Sequence, residues 1–270
     1  MSQSEVAKLQ LRVIERVPAQ ASPESQPSAN APTVLAVRTD KRAQMVPASG
    51  WSSPVSIIEE AELPVSIDPR LVVLGEENSV QARYYRLLQH QLVARSDPRV
   101  IAVTSARPGE GKTTCAANLA LVLADQTFAR VLLIEANVRR PALAEVFGFQ
   151  PADSFIDRLV QNRDTRPPYL VARIRGSRLH VAALRIDTPR GLHLDRLQLG
   201  LALSELRCCY DYIVVDAASL SESADADIVG ESADGVIIAA RAQHSRRGAI
   251  RRAIEQLSPT PVLGVALLDT

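Results

Sequence analysis

The chain is poor in the residues that mark secreted, metal-stapled or membrane-spanning proteins. Its three cysteines, Cys115, Cys208 and Cys209, have no zinc-site spacing, and the adjacent pair is badly placed to bridge to itself. All three are expected as buried thiols in helices. The four histidines, His90, His180, His193 and His244, are scattered and also lack metal spacing. No apolar run reaches the roughly 18 residues a membrane-crossing helix needs. The first residues carry Glu5, Lys8, Arg12, Glu15 and Arg16, too many charges for a signal peptide. The expected location is therefore cytoplasmic. A formal net charge of +1 excludes a whole-protein field for drawing in nucleic acid or anionic lipid. The one basic run, Arg246, Arg247, Arg251 and Arg252, has no interleaved aromatic residue, so it reads as a solvated helix face and no nucleic-acid partner is expected.

What the chain does have is Val103-Thr-Ser-Ala-Arg-Pro-Gly-Glu-Gly-Lys-Thr-Thr114, a stretch that follows an apolar strand and opens an alanine-rich helix. That is where a phosphate-cradling loop sits. Gly109 and Gly111 let backbone amides approach phosphate oxygens, and the helix points its positive end at them. In this reading Arg107, Pro108, Gly109, Glu110, Gly111, Lys112, Thr113 and Thr114 form the cofactor-binding loop. Lys112 reaches the β and γ phosphates of ATP, and the Thr113 hydroxyl binds Mg²⁺. The loop departs from the usual pattern at Ala106, where glycine is expected. A second signal is Tyr212-Ile-Val-Val-Asp216, in which four apolar residues present a carboxylate at a strand end, as a metal-binding aspartate beside such a loop requires.

Residues 1–75 hold eight of the seventeen prolines and no sustained apolar period, and are expected as a largely disordered tail. Within it Val6, Leu9, Val13 and Val17 fall near one helical face, so 4–17 is a candidate amphipathic helix as well as a candidate fraying segment. Residues 76–270 form the nucleotide-binding domain. A helix is expected over 79–95, then strand 99–105, helix 113–125, strand 131–135, short helices near Leu143 and over 155–160, and strand 179–183. Helix 194–208, strands 212–216 and 235–240, helix 246–257 and strand 261–267 follow. Apolar strands alternating with helices predict an α/β fold, doubly wound on a mainly parallel sheet, with the phosphate loop at its carboxyl edge.

Taken together, Thr-Ser-x-x-Pro-Gly-Glu-Gly-Lys-Thr, the later Val131-Leu-Leu-Ile-Glu-Ala-Asn-Val-Arg-Arg-Pro141 and Tyr210-Asp-Tyr-Ile-Val-Val-Asp216 resemble the cytoplasmic domain of bacterial tyrosine kinases. These control polymerisation and export of capsular and exopolysaccharide, and belong to the MinD/ParA class of P-loop ATPases. The resemblance covers about residues 68–268. It implies ATP and Mg²⁺ as cofactors and catalytic roles for Lys112, Glu135 and Asp216, with Glu135 near the reacting γ-phosphate and joining Thr113 and Asp216 around the metal. It also implies a membrane-embedded chain-length or activator partner at the inner face of the membrane, and a homo-oligomer assembled through the helix bearing Tyr85-Arg86-x-Leu88.

The departures from that family bear on activity. Its Ile-Asp-x-Asp motif is here Ile134-Glu135-Ala136-Asn137, which lengthens one carboxylate by a methylene and neutralises the other. Ala217-Ala218-Ser219 replaces the usual Thr-Pro-Pro, Gln89 stands where an arginine is expected in the assembly helix, and no tyrosine follows Tyr212. Phosphate transfer, on this reading, goes to another protein. Two further readings stand beside the enzyme: a nucleotide-responsive regulatory subunit with weak catalysis, and a partition or positioning ATPase whose signature lysine is replaced by Arg107.

Overall fold

The computed structural model describes residues 10–12, 54–61, 66–75, 78–95, 98–126, 129–159, 168–189 and 192–268. Five strands carry the centre: β3 (Val100–Ser105), β4 (Val131–Glu135), β7 (Tyr212–Asp216), β8 (Gly235–Arg241) and β9 (Val262–Leu268). Around them lie β1 (Gln10–Arg12), β2 (Val55–Ala61), β5 (Tyr169–Ile174) and β6 (Leu179–Ala182). The sheet order is β1-β9-β8-β3-β7-β4-β6-β5-β2, parallel from β9 through β6, with antiparallel pairs at β1–β9 and β5–β6.

Every residue of β3, β4 and β7 is buried, as expected for strands covered on both faces. Side chains alternate between two cores. Ile101, Val103, Val131, Leu133 and Val214 face one, and Ala102, Leu132, Ile134, Ile213 and Val215 face the other. The first core is roofed by α2 (Val80–Arg95) and α3 (Lys112–Gln126). The second is covered by α5 (Phe155–Leu159), α6 (Arg196–Leu206), α7 (Asp225–Ser232) and α8 (Arg247–Gln256). The short α1 (Val72–Gly75) precedes α2, and α4 (Leu143–Phe147) follows β4. Caps agree with the sequence: Ser79 Oγ accepts from Ala82 N at 3.1 Å to start α2, and Asp195 accepts from Gln198 N at 2.8 Å to start α6.

Ordered structure reaches well before residue 75, where the domain was expected to begin. Strand β2 pairs parallel with β5 from Val55 to Ala61. Residues Gln10–Arg12 pair antiparallel with β9, so the candidate helix over 4–17 is a strand at those three positions; its remaining residues lie outside the described ones. The segment entering α2 is fixed by the buried Asn118 of α3. Its Oδ1 accepts from Val73 N at 3.0 Å, and its Nδ2 donates to Arg70 O at 2.6 Å and Thr114 O at 2.8 Å. In α2, Tyr85 is buried against this core while Val80 and Leu87 are exposed. Cys115 is buried as expected, whereas Cys208 is exposed and Cys209 half-buried in the turn after α6, which ends at Leu206.

Replacing Asn118 by alanine strands the Val73 amide and the Arg70 carbonyl. We predict a loss of about 2 kcal/mol or more in urea unfolding, with faster proteolytic cleavage within residues 66–75; unchanged cleavage would mean that α3 does not hold this segment.

Candidate functional site

The phosphate loop runs from the end of β3 to the start of α3 at the carboxyl edge of the sheet. Its two positive-φ residues are Gly109 (φ 78°) and Gly111 (φ 85°), conformations that favour glycine. At Gly111 a side chain is excluded on a second ground, since a Cβ would lie 2.4 Å from Leu268 Cδ1. Ala106 is buried in the second core and is not among the positive-φ residues, so alanine fits where glycine was expected. The loop is braced from within. Ser105 Oγ donates to Arg107 O at 2.7 Å, and Arg107 N donates to Glu110 Oε2 at 2.8 Å. The buried Glu110 also receives the hydroxyl of Ser245, just ahead of α8. Glu110 is therefore occupied as a brace, and the Arg107 side chain is exposed.

The first helical bond of α3 is Cys115 N to Gly111 O at 2.9 Å, which leaves the amides of Lys112, Thr113 and Thr114 as the orphan donors of the helix start. These, with the loop backbone, suit an anion. Lys112 is buried at 8% exposure. Thr113 Oγ1 donates to Asp216 Oδ2 at 2.7 Å, so the loop and the strand-end aspartate expected from sequence meet. Asp216 is fully buried and its Oδ1 has no hydrogen-bond partner. Burial pushes its carboxyl up to about 6, against the opposing pull of Lys112 and the Thr113 hydroxyl. An orphaned carboxylate oxygen beside a threonine hydroxyl whose oxygen can still accept or ligate fits a Mg²⁺ held chiefly by phosphate and water. Among the described residues there is no cluster of three or more His, Cys, Asp or Glu that would cage a metal without a nucleotide.

Glu135 is the in-register neighbour of Asp216 across β4–β7. Its carboxylate does not face the phosphate loop as a free group. Oε1 accepts from Ala142 N and from Leu143 N (2.9 Å for Leu143), and Oε2 accepts from Leu184 N at 2.9 Å. Burial raises its carboxyl to about 7, with the three amides lowering it and Asp216 adding to the rise. Glu135, expected at the reacting phosphate and on the metal, here accepts three main-chain amides, those of Ala142, Leu143 and Leu184.

Asn137, a departure from the family motif, and Arg140, part of its match, complete the edge. Asn137 is buried, its Nδ2 donating to Arg140 O at 2.9 Å and its Oδ1 unpartnered. Arg140 bridges to Glu222 at 3.0 Å, and Ser219 Oγ donates to the other Glu222 oxygen at 2.7 Å, so the loops after β4 and β7 are joined across the rim. Next to this rim lies a cleft of about 480 Å³ between Pro141–Gln150 and Leu184–Asp187.

A glycine-rich loop at a helix start, an aspartate on the adjacent strand and a mainly parallel sheet define a P-loop nucleotide-binding domain. The CobQ/CobB/MinD/ParA nucleotide binding domain matches residues 101–270, and the chain belongs to that family. It is 29% identical over 254 residues to the succinoglycan biosynthesis transport protein ExoP of Rhizobium meliloti (strain 1021), covering 88% of this chain and 31% of ExoP. It is 27% identical to the tyrosine-protein kinase YwqD of Bacillus subtilis (strain 168), covering 70% of this chain and 80% of YwqD. The chain thus spans about a third of one relative and most of the other. Among solved structures, the kinase domain of the Escherichia coli tyrosine kinase ETK shares the fold at a TM-score of 0.65 and 19% identity, over 78% of this chain and 89% of that one. The VpsO kinase domain matches at 0.54 and 26%, over 69% and 96%. The Mg-ADP complex of MinD from Pyrococcus horikoshii shares the fold at 0.51 and 21%, over 62% and 68%. Among the described residues no helix is long and apolar enough to cross a membrane.

Alanine at Gly109 meets open space and carries only the backbone penalty of about 1 kcal/mol. Alanine at Gly111 must also displace Leu268, so its loss of stability should be the larger, and Leu268→Ala should recover part of it. Urea denaturation of the two single variants and the Gly111→Ala, Leu268→Ala double variant checks this; equal losses at both glycines would remove Leu268 from the loop's support.

Proposed function

We propose that the chain is an ATP-binding P-loop protein of the bacterial tyrosine-kinase type, regulating exopolysaccharide or capsule polymerisation and export through nucleotide hydrolysis or phosphotransfer. The observation that carries the reading is the meeting of Thr113 with Asp216, whose second oxygen is left unpartnered, beside the buried Lys112. Lys112 and the first-turn amides of α3 hold the phosphates, while Thr113 and Asp216 hold Mg²⁺. Bound Mg-ATP supplies the phosphoryl group and the counter-charge. The side chains bind, orient and keep water out of the loop. ExoP and YwqD, named for succinoglycan transport and tyrosine kinase activity, support the pathway class. By the same analogy the chain works with a membrane-embedded chain-length protein and as a homo-oligomer.

A weakly catalytic, nucleotide-responsive form of this function is favoured by one observation: the second motif offers no free carboxylate, since Glu135 is occupied and residue 137 is an amide. Without a free base, proton abstraction from an attacking hydroxyl is slow.

Equilibrium binding of ATP and ADP with Mg²⁺ tests the reading. Lys112→Ala should weaken ATP binding by about tenfold or more, as expected for a charge-assisted contact to phosphate. Asp216→Asn should leave Mg²⁺-free binding nearly intact and remove most of the Mg²⁺ enhancement. No binding by the parent protein would rule out the nucleotide function altogether.

A further inference from the structure

Glu135 ends β4, and the chain then leaves the sheet through residues 136–142 before α4 begins at Leu143. That loop donates Ala136 N to Asp216 O at 2.9 Å and carries Asn137 and Arg140, the second of which reaches Glu222 in the loop after β7. The start of α4 has no local side-chain cap, because Ala142 occupies the N-cap position. First-turn amides of a helix have no partner within it and need one from elsewhere. Glu135 supplies it from seven and eight residues upstream, one oxygen accepting both Ala142 N and Leu143 N. The other oxygen accepts Leu184 N, just past the end of β6, so the same carboxylate ties the loop to the neighbouring strand. Ala142 and Leu184 both line the cleft beside the rim.

We infer that Glu135 is a positioning residue: its carboxylate closes the loop 136–142 and pins it to the Leu184 strand end, holding Asn137 and Arg140 beside Asp216, and takes no direct part in phosphate chemistry. The inference rests on the proposed nucleotide site for its consequence, though not for the clamp itself. Only a full-length carboxylate does this. A glutamine keeps one acceptor oxygen and turns an N–H₂ toward amides that are themselves donors, and an aspartate is a methylene too short to reach both loops at once.

Amide hydrogen exchange on the intact protein tests the clamp directly, without nucleotide. In the parent protein the amides of Leu143 and Leu184 should exchange slowly, although a first-turn helix amide is ordinarily among the fastest. In both Glu135→Gln and Glu135→Asp each should exchange about tenfold faster or more, the effect of losing one buried hydrogen bond. Nucleotide affinity and phosphate release are then compared between the two variants. A positioning role predicts similar losses in both, appearing in affinity as well as in turnover. A direct catalytic role predicts that aspartate retains far more turnover than glutamine, with exchange unchanged, and that pattern would overturn the inference. Should Glu135→Gln fail to fold, fast exchange of Leu143 or Leu184 in the parent would be sufficient to reject the clamp. Absence of ATP binding by the parent would remove the proposed function while leaving the exchange result to stand or fall alone.

Discussion

Two carboxylates buried side by side at the ends of adjacent parallel strands set the terms for everything at this edge of the sheet. Glu135 and Asp216 are in register across β4–β7, and neither is exposed. Neighbouring strands lie about 4.8 Å apart, and an unpaired charge in such a place costs far more than any single contact returns. The protein meets the problem differently at each residue. Glu135 accepts three main-chain amides, shared between its two oxygens. Asp216 has one hydroxyl, a nearby lysine and an oxygen still unsatisfied. The first is complete as it stands, and the second is complete only with something added.

That asymmetry bears on Asn137, two residues after Glu135 in the second motif. A carboxylate at position 137 would be a third acidic group at the same buried edge as Glu135 and Asp216. Asparagine keeps an acceptor oxygen at the rim while donating through Nδ2 to Arg140 O, an interaction a carboxylate cannot make. Arg140 is in turn drawn toward Glu222, and through it toward Ser219 in the loop after Asp216. The second motif of this chain thus has the character of a scaffold for the site. The groups proposed to meet phosphate and metal, Lys112, Thr113 and Asp216, lie outside that motif.

The parts of this arrangement legible in the sequence are those whose signal is local. Strand β7 with its terminal Asp216, strands β3 and β4, and the glycine loop follow from short apolar runs and from residues that need positive φ. What sequence reading missed is non-local or weakly patterned. Strand β2 lies in proline-rich sequence and finds its place only by pairing with β5, more than a hundred residues later. Helix α7 opens with Asp225 and Asp227 and has little apolar period to announce it. The clamp on Glu135 could not be seen at all, because its partners are backbone amides, which every residue carries and no composition betrays. The burial of Tyr85 was hidden for a related reason: its motif reads as a surface for assembly, yet the aromatic ring faces α3.

Helix α3 is the element through which these features share one body. Its first turn presents Lys112 and Thr113 to the site, and one turn on, Cys115 packs in the same core as Tyr85 of α2. Asn118 then fixes the chain from Arg70 to Val73. The segment before the phosphate loop is therefore packed on the same rigid cylinder that carries the phosphate-binding amides, and close-packed interiors transmit displacement instead of absorbing it. The exposed Val80 and Leu87 lie on the opposite side of α2 from that packing. Between that face and the helix that opens at Lys112 lies the layer of side chains that α2 and α3 share.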